Sequence, residues 1–392
     1  MKQLPELCNI TTGKLDANAA VENGIYPYFT CGEEPAKINE YAFDCDAILI
    51  AGNNAQGNFH VSRYNGKFNA YQRTYVLTAK ENCNLDFVYY SLKLSLEQLR
   101  TRSQGSQTKF LTMPILNAIS INDALNQKKI ADVLSCIDDK IALNNKTNTE
   151  LENMAKTIYD YWFTQFDFPD KNGHPYKTSG GQMVYNETLK REIPAGWEVE
   201  QLRHYLDCNK NSITKNQKFD YINYLDTGSL TENIITEFQV IKNTDSLPSR
   251  AKRIVKKNDI LYSSVRPLLK HYGIIKAPKE NMIASTGFII LSSKVDSRYN
   301  DFFYNYIILE SNLNKLVSIA ASNVSAYPSI NPDDLLDLYI PMPKDFNLLD
   351  DFISKIQPIY ELINTNQKEA EELTKLRDYL LPLLMNGQIE VK

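Results

Sequence analysis

The strongest constraint on how this chain can fold is a repeat of very long period. Between Gln127 and Phe166 apolar residues fall at Ile130, Leu134, Ile137 and Ile141, and again at Leu151, Ala155, Ile158 and Trp162. The steps alternate four and three, which is a heptad seam, and no Pro or Gly interrupts it. Asn144 and Asn148 sit in the seam between the two apolar halves. The pattern returns at an offset of 222 residues: Phe352, Ile356, Ile359 and Ile363, then Leu373, Leu380 and Leu384. Asn366 falls where Asn144 fell, and Lys368, Glu372 and Leu373 match Lys146, Glu150 and Leu151, whereas Arg377 replaces Ala155 and Ala370 replaces Asn148. A helix of about 40 residues is roughly 60 Å long. Pro358 and Pro382 predict a kink or a late break in the second one.

A single amphipathic helix normally packs on its own domain. Two matching ones, each with more apolar seam than water tolerates and less than a full core needs, point to each other as partners in an antiparallel pair. The expected interface is Ile130, Leu134, Ile137, Ile141, Asn144, Leu151 and Ile158 on the central helix. On the C-terminal helix it is Phe352, Ile356, Ile359, Ile363, Asn366, Leu373 and Leu380. Buried seam asparagines cost stability but fix register.

Each long helix follows a globular segment rich in short β-type runs. Ala47–Ile50, Phe59–Val61 and Tyr75–Leu77 read as strands in the first segment. Asp259–Tyr262, Tyr272–Ile275 and Gly287–Leu291 read as their equivalents in the second. A shorter helix follows in each, over Leu85–Arg102 and Asn300–Ala320, and then a polar loop, Ser103–Lys109 and Ala321–Ser325. The segment 167–195, dominated by Gly, Pro, Asn and Lys, reads as a linker or irregular strap. The fold class is therefore α+β: two α/β domains in tandem repeat, separated by two long antiparallel coiled-coil helices. The expected boundaries are 1–126, 127–166 (central helix), 167–195 (strap), 196–345 and 346–392 (C-terminal helix).

The chain resembles the specificity subunits of type I restriction–modification enzymes, over its whole length. Three motifs carry the resemblance: Gln127–Ile141 at the start of the central helix, Phe166-Asp167-Phe168-Pro169 through Gly196-Trp197-Glu198-Val199, and Leu376–Gly387 near the C-terminus. The entry at Leu4-Pro5-Glu6-Leu7 departs from the family pattern, lacking the Gly-Trp present at Gly196-Trp197. The resemblance implies that each target-recognition domain reads one half of a split site in double-stranded DNA and that the helices set the spacing. It also implies that two methyltransferase (modification) subunits dock on the helices and that restriction/translocase subunits join them. S-adenosylmethionine, ATP and Mg would then belong to those partners, with no cofactor and no metal on this chain. A specificity subunit of a type II-like system would share fold and motifs.

Composition bears on this reading in three ways. The formal net charge of −4 argues against a chain that grips DNA alone. It suits a subunit whose partners supply phosphate contacts, and equally a coiled-coil adaptor without DNA specificity. The six cysteines and four histidines are scattered, which gives no zinc site and suits a reducing cytoplasm. No apolar run reaches the roughly 18 residues of a membrane span, and the N-terminus lacks a signal core.

Enzyme motifs are absent from the sequence. The string closest to the Asn/Asp-Pro-Pro-aromatic loop of an adenine methyltransferase is Asn331-Pro332-Asp333-Asp334, without the second Pro or the ring. Neither a glycine-rich cofactor loop nor a phosphate-cradling Gly-x-x-x-x-Gly-Lys-Ser/Thr occurs. The chain is expected to be non-catalytic.

Base edges are read by Arg and Lys at guanine and by Asn and Gln at adenine. Candidate DNA contacts in the first domain are Asn53, Asn54 and Gln56, then Arg63, Gln72 and Arg73, and then Arg102, Gln104 and Lys109. In the second they are Arg250 and Arg253 within the cationic run that also holds Lys252, Lys256 and Lys257, together with Ser263, Arg266, Lys270 and Tyr272.

Overall fold

The structure is a computed structural model and describes residues 1–54, 59–103, 109–122, 126–214, 217–242, 247–322 and 328–391. The chain divides into two compact units, residues 1–144 with 369–392, and residues 145–368. Each unit holds one globular domain together with one end of each long helix.

In the first unit, six strands are ordered Cys8–Thr12, Thr74–Ala79, Phe43–Ala51, Val61–Ala70, Tyr26–Phe29 and Ala36–Ile38. All neighbours pair antiparallel except Tyr26–Phe29 with Val61–Ala70. The apolar run Ala47–Ala51 is buried throughout because it lies between two cores. Ile48 and Ile50 face the helix Leu85–Arg102 with Leu77, Phe87 and Val88, while Ala47 and Leu49 face Phe29, Phe68 and Val76 on the other side. That helix starts on Asn84, whose side chain accepts from the Phe87 N–H at 2.8 Å.

The second unit repeats the plan with two four-stranded sheets. One is ordered Leu206–Cys208, Phe288–Ser293, Ile260–Ser263 and Tyr272–Ile274. The other is ordered Gln239–Lys242, Tyr221–Leu225, Met282–Ser285 and Ala251–Ile254. The same alternation splits its apolar runs: Ile260, Tyr262, Ile289 and Leu291 face the larger core, and Leu261, Phe288 and Ile290 a smaller one. The stretch read as one helix, Asn300–Ala320, is two, Asn300–Ile307 and Glu310–Ser322. In both domains the first strand pairs with the strand leading into a long helix, Lys2–Gln3 with Ser120–Ile121 and Glu198–Gln201 with Tyr339–Met342.

The central helix spans Gln127–Tyr159 and closes in a wide π-type turn, Asp160–Thr164. The C-terminal helix runs unbroken over Asn347–Met385, through both Pro358 and Pro382. Contacts between the helix ends run in opposite senses within each unit. In the first, Asp138 meets Arg377 at 2.8 Å, and the Asn144 amide donates to Glu369 at 2.8 Å. In the second, the Asn366 amide donates to Asn148 at 2.9 Å. The seam asparagines thus pair with Glu369 and Asn148.

Of the expected interface, Ile130, Leu134, Ile137, Asn144, Phe352, Ile356 and Ile363 are buried. Ile141, Leu151, Ile158, Ile359, Asn366, Leu373 and Leu380 are half-buried. The helix ends also join the domain cores. Ile130, Ala131 and Leu134 pack with Leu384 and Met385 among first-domain residues. Ala155, Tyr159, Phe163, Phe352, Ile353 and Tyr360 do so in the second.

The strap, expected to be irregular, holds one regular element, the antiparallel hairpin of Met183–Asn186 with Arg191–Pro194, and is otherwise ordered by rings. Phe168 stacks between Tyr176 and Trp197, at centroid distances of 4.7 and 5.4 Å, and Arg191 lies 4.7 Å from the Phe166 ring. The Asp167 carboxylate accepts from the Thr178 backbone and hydroxyl, which holds its pKa below the ordinary value.

Candidate nucleic-acid interface

Each domain brings together two polar segments that lie far apart in sequence. In the first, Asn53 pairs with Phe110 and Asn54 with Lys109 in a two-residue ribbon. The segment after the central strand thereby meets the segment after the domain helix. In the second, Val265 bridges to Ser329, Arg266 N–H donates to Pro328 at 2.8 Å, and Ile330 N–H donates to Ser264 at 2.8 Å. The same juxtaposition is built twice from unlike residues.

The second-domain loop has a demanding backbone. Arg266 and Lys270 both take the left-handed conformation, at φ 49° and 54°, around the short turn Pro267–Leu269. Non-glycine residues held there cost on the order of 1–2 kcal/mol each. Arg266 and Lys270 are exposed, and Lys270 is ion-paired with Glu232 at 2.9 Å. Beside them Val265, Leu268 and Leu269 are exposed apolar residues at the loop tip.

The cationic run is divided by its strand, Ala251–Ile254. Arg250, at one end, adjoins the loop through the turn at Thr286 and Gly287. Thr286 N–H donates to Arg250, and Ser264 N–H donates to Gly287, each at 2.8 Å. Lys256 and Lys257 lie beyond the other end, where Lys256 N–H donates to the Asp259 carboxylate. Arg253 is half-buried and donates to the Ser212 hydroxyl at 3.3 Å.

In the first domain Gln72 and Arg73 are exposed, with Gln72 donating to Asp16 at 3.4 Å. Lys109 and the two asparagines are half-buried. Gln56 and Gln104 lie outside the described residues, as does the side chain of Arg102.

Three expected contacts are corrected. Arg63 is held between two carboxylates, donating through Nε to Asp86 at 2.9 Å and through Nη2 to Asp46 at 2.7 Å. Burial opposes its charge, but the two carboxylates raise its pKa overall, so it is an internal clamp between a strand and the domain helix. Ser263 and Tyr272 are 2% and 3% exposed. Both stand on strands covered on each face: Ser263 closes a turn with Val265, and Tyr272 stacks on Tyr262 at 5.7 Å. Burial pushes the Tyr272 phenol above its ordinary pKa.

Sequence reasoning did not single out Leu268, Leu269 or the Pro328–Ile330 segment. The signal for the segment was the repeated order of strand, helix and polar loop. The apolar tip carried none, since readout was sought among polar side chains.

Asn331-Pro332-Asp333-Asp334 is a helix start. The Asn331 N–H donates to Asp334 at 2.6 Å, and the short helix Pro332–Leu336 follows. Among the described residues no group of three or more His, Cys, Asp or Glu is placed to hold a metal. No described helix is long and apolar enough to cross a membrane.

Fold and site define a chain of two mixed helix-and-sheet domains in tandem, each presenting a paired polar loop. The family described as "Type I restriction modification DNA specificity domain" matches residues 1–153 and 194–375, and the chain belongs to it. Its part is to give DNA sequence specificity to a type I restriction–modification system. It is 28% identical to the type I restriction enzyme EcoDI specificity subunit of Escherichia coli, over 94% of this chain and 82% of that one. It is 27% identical to the MjaIX specificity subunit of Methanocaldococcus jannaschii, over 80% and 71%. The crystal structure of the type I restriction–modification S subunit from M. genitalium shares the fold, with a TM-score of 0.56 over 97% of this chain and 94% of that one, at 16% identity.

Proposed function

We propose that each domain reads one half of a bipartite site in double-stranded DNA through its paired loops. The observation that carries this is the duplication: Asn53–Asn54 against Lys109–Phe110, and Ser264–Arg266 against Pro328–Ile330. Unlike side chains on a common frame suit two unlike half-sites. The first domain would be 1–126 and the second 196–345. The central helix, 127–166, and the C-terminal helix, 346–392, would separate them as an antiparallel coiled coil that sets the gap, with the strap 167–195 between.

Two methyltransferase subunits would dock on the helical region, and restriction/translocase subunits would join them. S-adenosylmethionine, ATP and Mg would be bound by those partners. This chain would confer specificity without catalysing a step, in the cytoplasm.

The test is selection of a randomised DNA pool by this chain co-expressed with its methyltransferase partner. Two short unlike half-sites at a fixed gap are expected, and no enrichment by an assembled complex would overturn the reading. In the same assay Arg266→Ala should weaken binding by about 1–3 kcal/mol and relax one position of the second half-site, as loss of a base contact does. Unchanged affinity and preference would remove Arg266 from the interface.

A further inference from the structure

Asn233 is a buried, fully hydrogen-bonded residue of the second unit, and the function just proposed gives it no role. It sits with Glu232 at the tip of the hairpin formed by Leu230–Thr231 and Ile234–Ile235, both tip residues at positive φ, 43° and 67°. That is the geometry of a two-residue hairpin turn, which normally calls for Asn or Gly. Every polar group of Asn233 is used. Its N–H donates to Tyr272 at 2.8 Å, and its side-chain oxygen accepts from Ile274 N–H at 2.9 Å. Its amide donates to the Glu152 carboxylate on the central helix at 2.6 Å. Its carbonyl accepts from the Gln367 side chain, on the C-terminal helix, at 3.0 Å.

Asn233 is 7% exposed, and Gly273 makes room for its side chain: a Cβ there would lie 2.9 Å from the Asn233 side-chain oxygen. The same hairpin holds the candidate reading loop. Glu232 N–H donates to the Lys270 carbonyl at 3.0 Å, the Glu232 carboxylate pairs with the Lys270 ammonium, and His271 Nδ1 lies 2.7 Å from the Leu230 carbonyl oxygen.

We propose that Asn233 is a positioning residue, locking the Arg266–Lys270 reading loop to both long helices so that the second half-site is read at one distance only. This rests on the bipartite reading above. The loop's own bonds fix its shape. The Asn233 bonds to Glu152 and Gln367 tie this hairpin, and the loop it carries, to both long helices. A loop freed of that tie keeps its base contacts and loses its place.

The experiment measures binding of the full chain, with its methyltransferase partner, to the selected site and to versions with the gap one base pair longer or shorter. Asn233→Gly keeps the turn conformation and removes the side chain. Asn233→Asp keeps the acceptor for Ile274 and sets a carboxylate against Glu152. Both are expected to cut the preference for the correct gap by about tenfold, the worth of one buried hydrogen bond, while half-site sequence preference stays. Glu152→Gln alone keeps an acceptor for Asn233 and should leave the gap preference intact. Added to Asn233→Asp it supplies an amide donor and should restore it, which a merely structural lesion would not allow.

The proposal is overturned if Asn233→Gly and Asn233→Asp keep the gap preference, or if the double variant, folded by its melting curve, fails to recover it. A wild-type complex that selects no bipartite site overturns the functional reading itself, a result visible before any variant is made.

Discussion

Where the second unit buries Ala155 beneath rings, the first carries Arg377, its counterpart 222 residues on. Where the second has Tyr360, the first has Asp138, at the same offset. Both positions do the same job. The Tyr360 hydroxyl accepts from the Asn305 amide at 2.9 Å, and the Asp138 carboxylate accepts from the Tyr90 hydroxyl at 2.8 Å, so each joins its domain's own helix to a long helix. The surroundings differ. In the second unit Tyr159, Trp162, Phe163, Phe302 and Phe352 form one ring cluster with centroids 4.8–6.4 Å apart. In the first, Arg377 meets Asp138 at 2.8 Å, and Lys93 stands 3.8 Å from the same carboxylate. Duplication kept the sites of attachment while the chemistry diverged. A ring cluster is worth its buried area, whereas an ion pair gains little net stability and mainly specifies geometry.

Exchanging the two chemistries should break the comparison most visibly in the second unit. Ala155 is fully buried among rings, so Ala155→Arg must both overfill that core and bury an unpaired charge. A destabilisation above about 4 kcal/mol is expected, since both mechanisms belong to the severe class. Urea unfolding of the full chain measures it, and a loss under about 1 kcal/mol would mean that the helix end is not packed as described.

Glu152 sharpens the comparison, because it is a half-buried acid on the long helix of the ring-rich unit. Burial raises its carboxyl from the ordinary 4.5 to about 7; the Asn233 amide and Lys156 pull it down, and Glu232 pushes it up. Tyr272 and Tyr304 stand nearby. A folded-state pKa above the unfolded one means that the folded chain holds the extra proton. Stability is full below pH 4.5 and is lost as pH rises through about 7. Glu152→Gln removes that dependence. It should match the wild type near pH 4 and exceed it by up to about 3 kcal/mol at pH 8. Melting temperatures of both chains across that range are the check, and parallel curves would place the Glu152 carboxylate in water.

How much of this was legible in the sequence follows from how local each signal is. The seam of both long helices was readable because a heptad repeats within a dozen residues and no Pro or Gly interrupts the central one. Ile353 and Tyr360 were not, because the helix ends serve a second partner, the domain core, whose demand is superimposed on the heptad. The strands around Ile48 and Ile290 declared themselves as apolar runs buried on both faces. The same double burial hid the fate of Ser263 and Tyr272, whose polar groups suggested a surface. Arg63 looked like a free cation because Asp46 and Asp86, which hold it, lie 17 and 23 residues away and meet it only through sheet and helix packing. The candidate loops were legible as polar segments, but their pairing with the segments after the domain helices is a tertiary fact.

Arg377→Ala places in the first unit the residue that the second unit uses at the same point, and its cost should be the smallest of the three. Breaking one partner of a fully buried pair costs about 3–5 kcal/mol. Here the side chains of Arg377 and Asp138 are 20% and 24% exposed, and Asp138 keeps the Tyr90 hydroxyl and Lys93 when the guanidinium is gone. The orphaned carboxylate is therefore partly satisfied, and the loss should be about 1–2 kcal/mol. Arg377→Lys should recover only part of it, because an ammonium cannot bridge Asp138 and Asp378 as the guanidinium fork does. Urea unfolding of the full chain at low and high salt separates the two readings of this corner. A loss that shrinks with salt marks the ion pair as the anchor. A salt-independent loss equal in both variants would mean that Arg377 serves by the packing of its stem, and the first unit would then be fastened much as the second is.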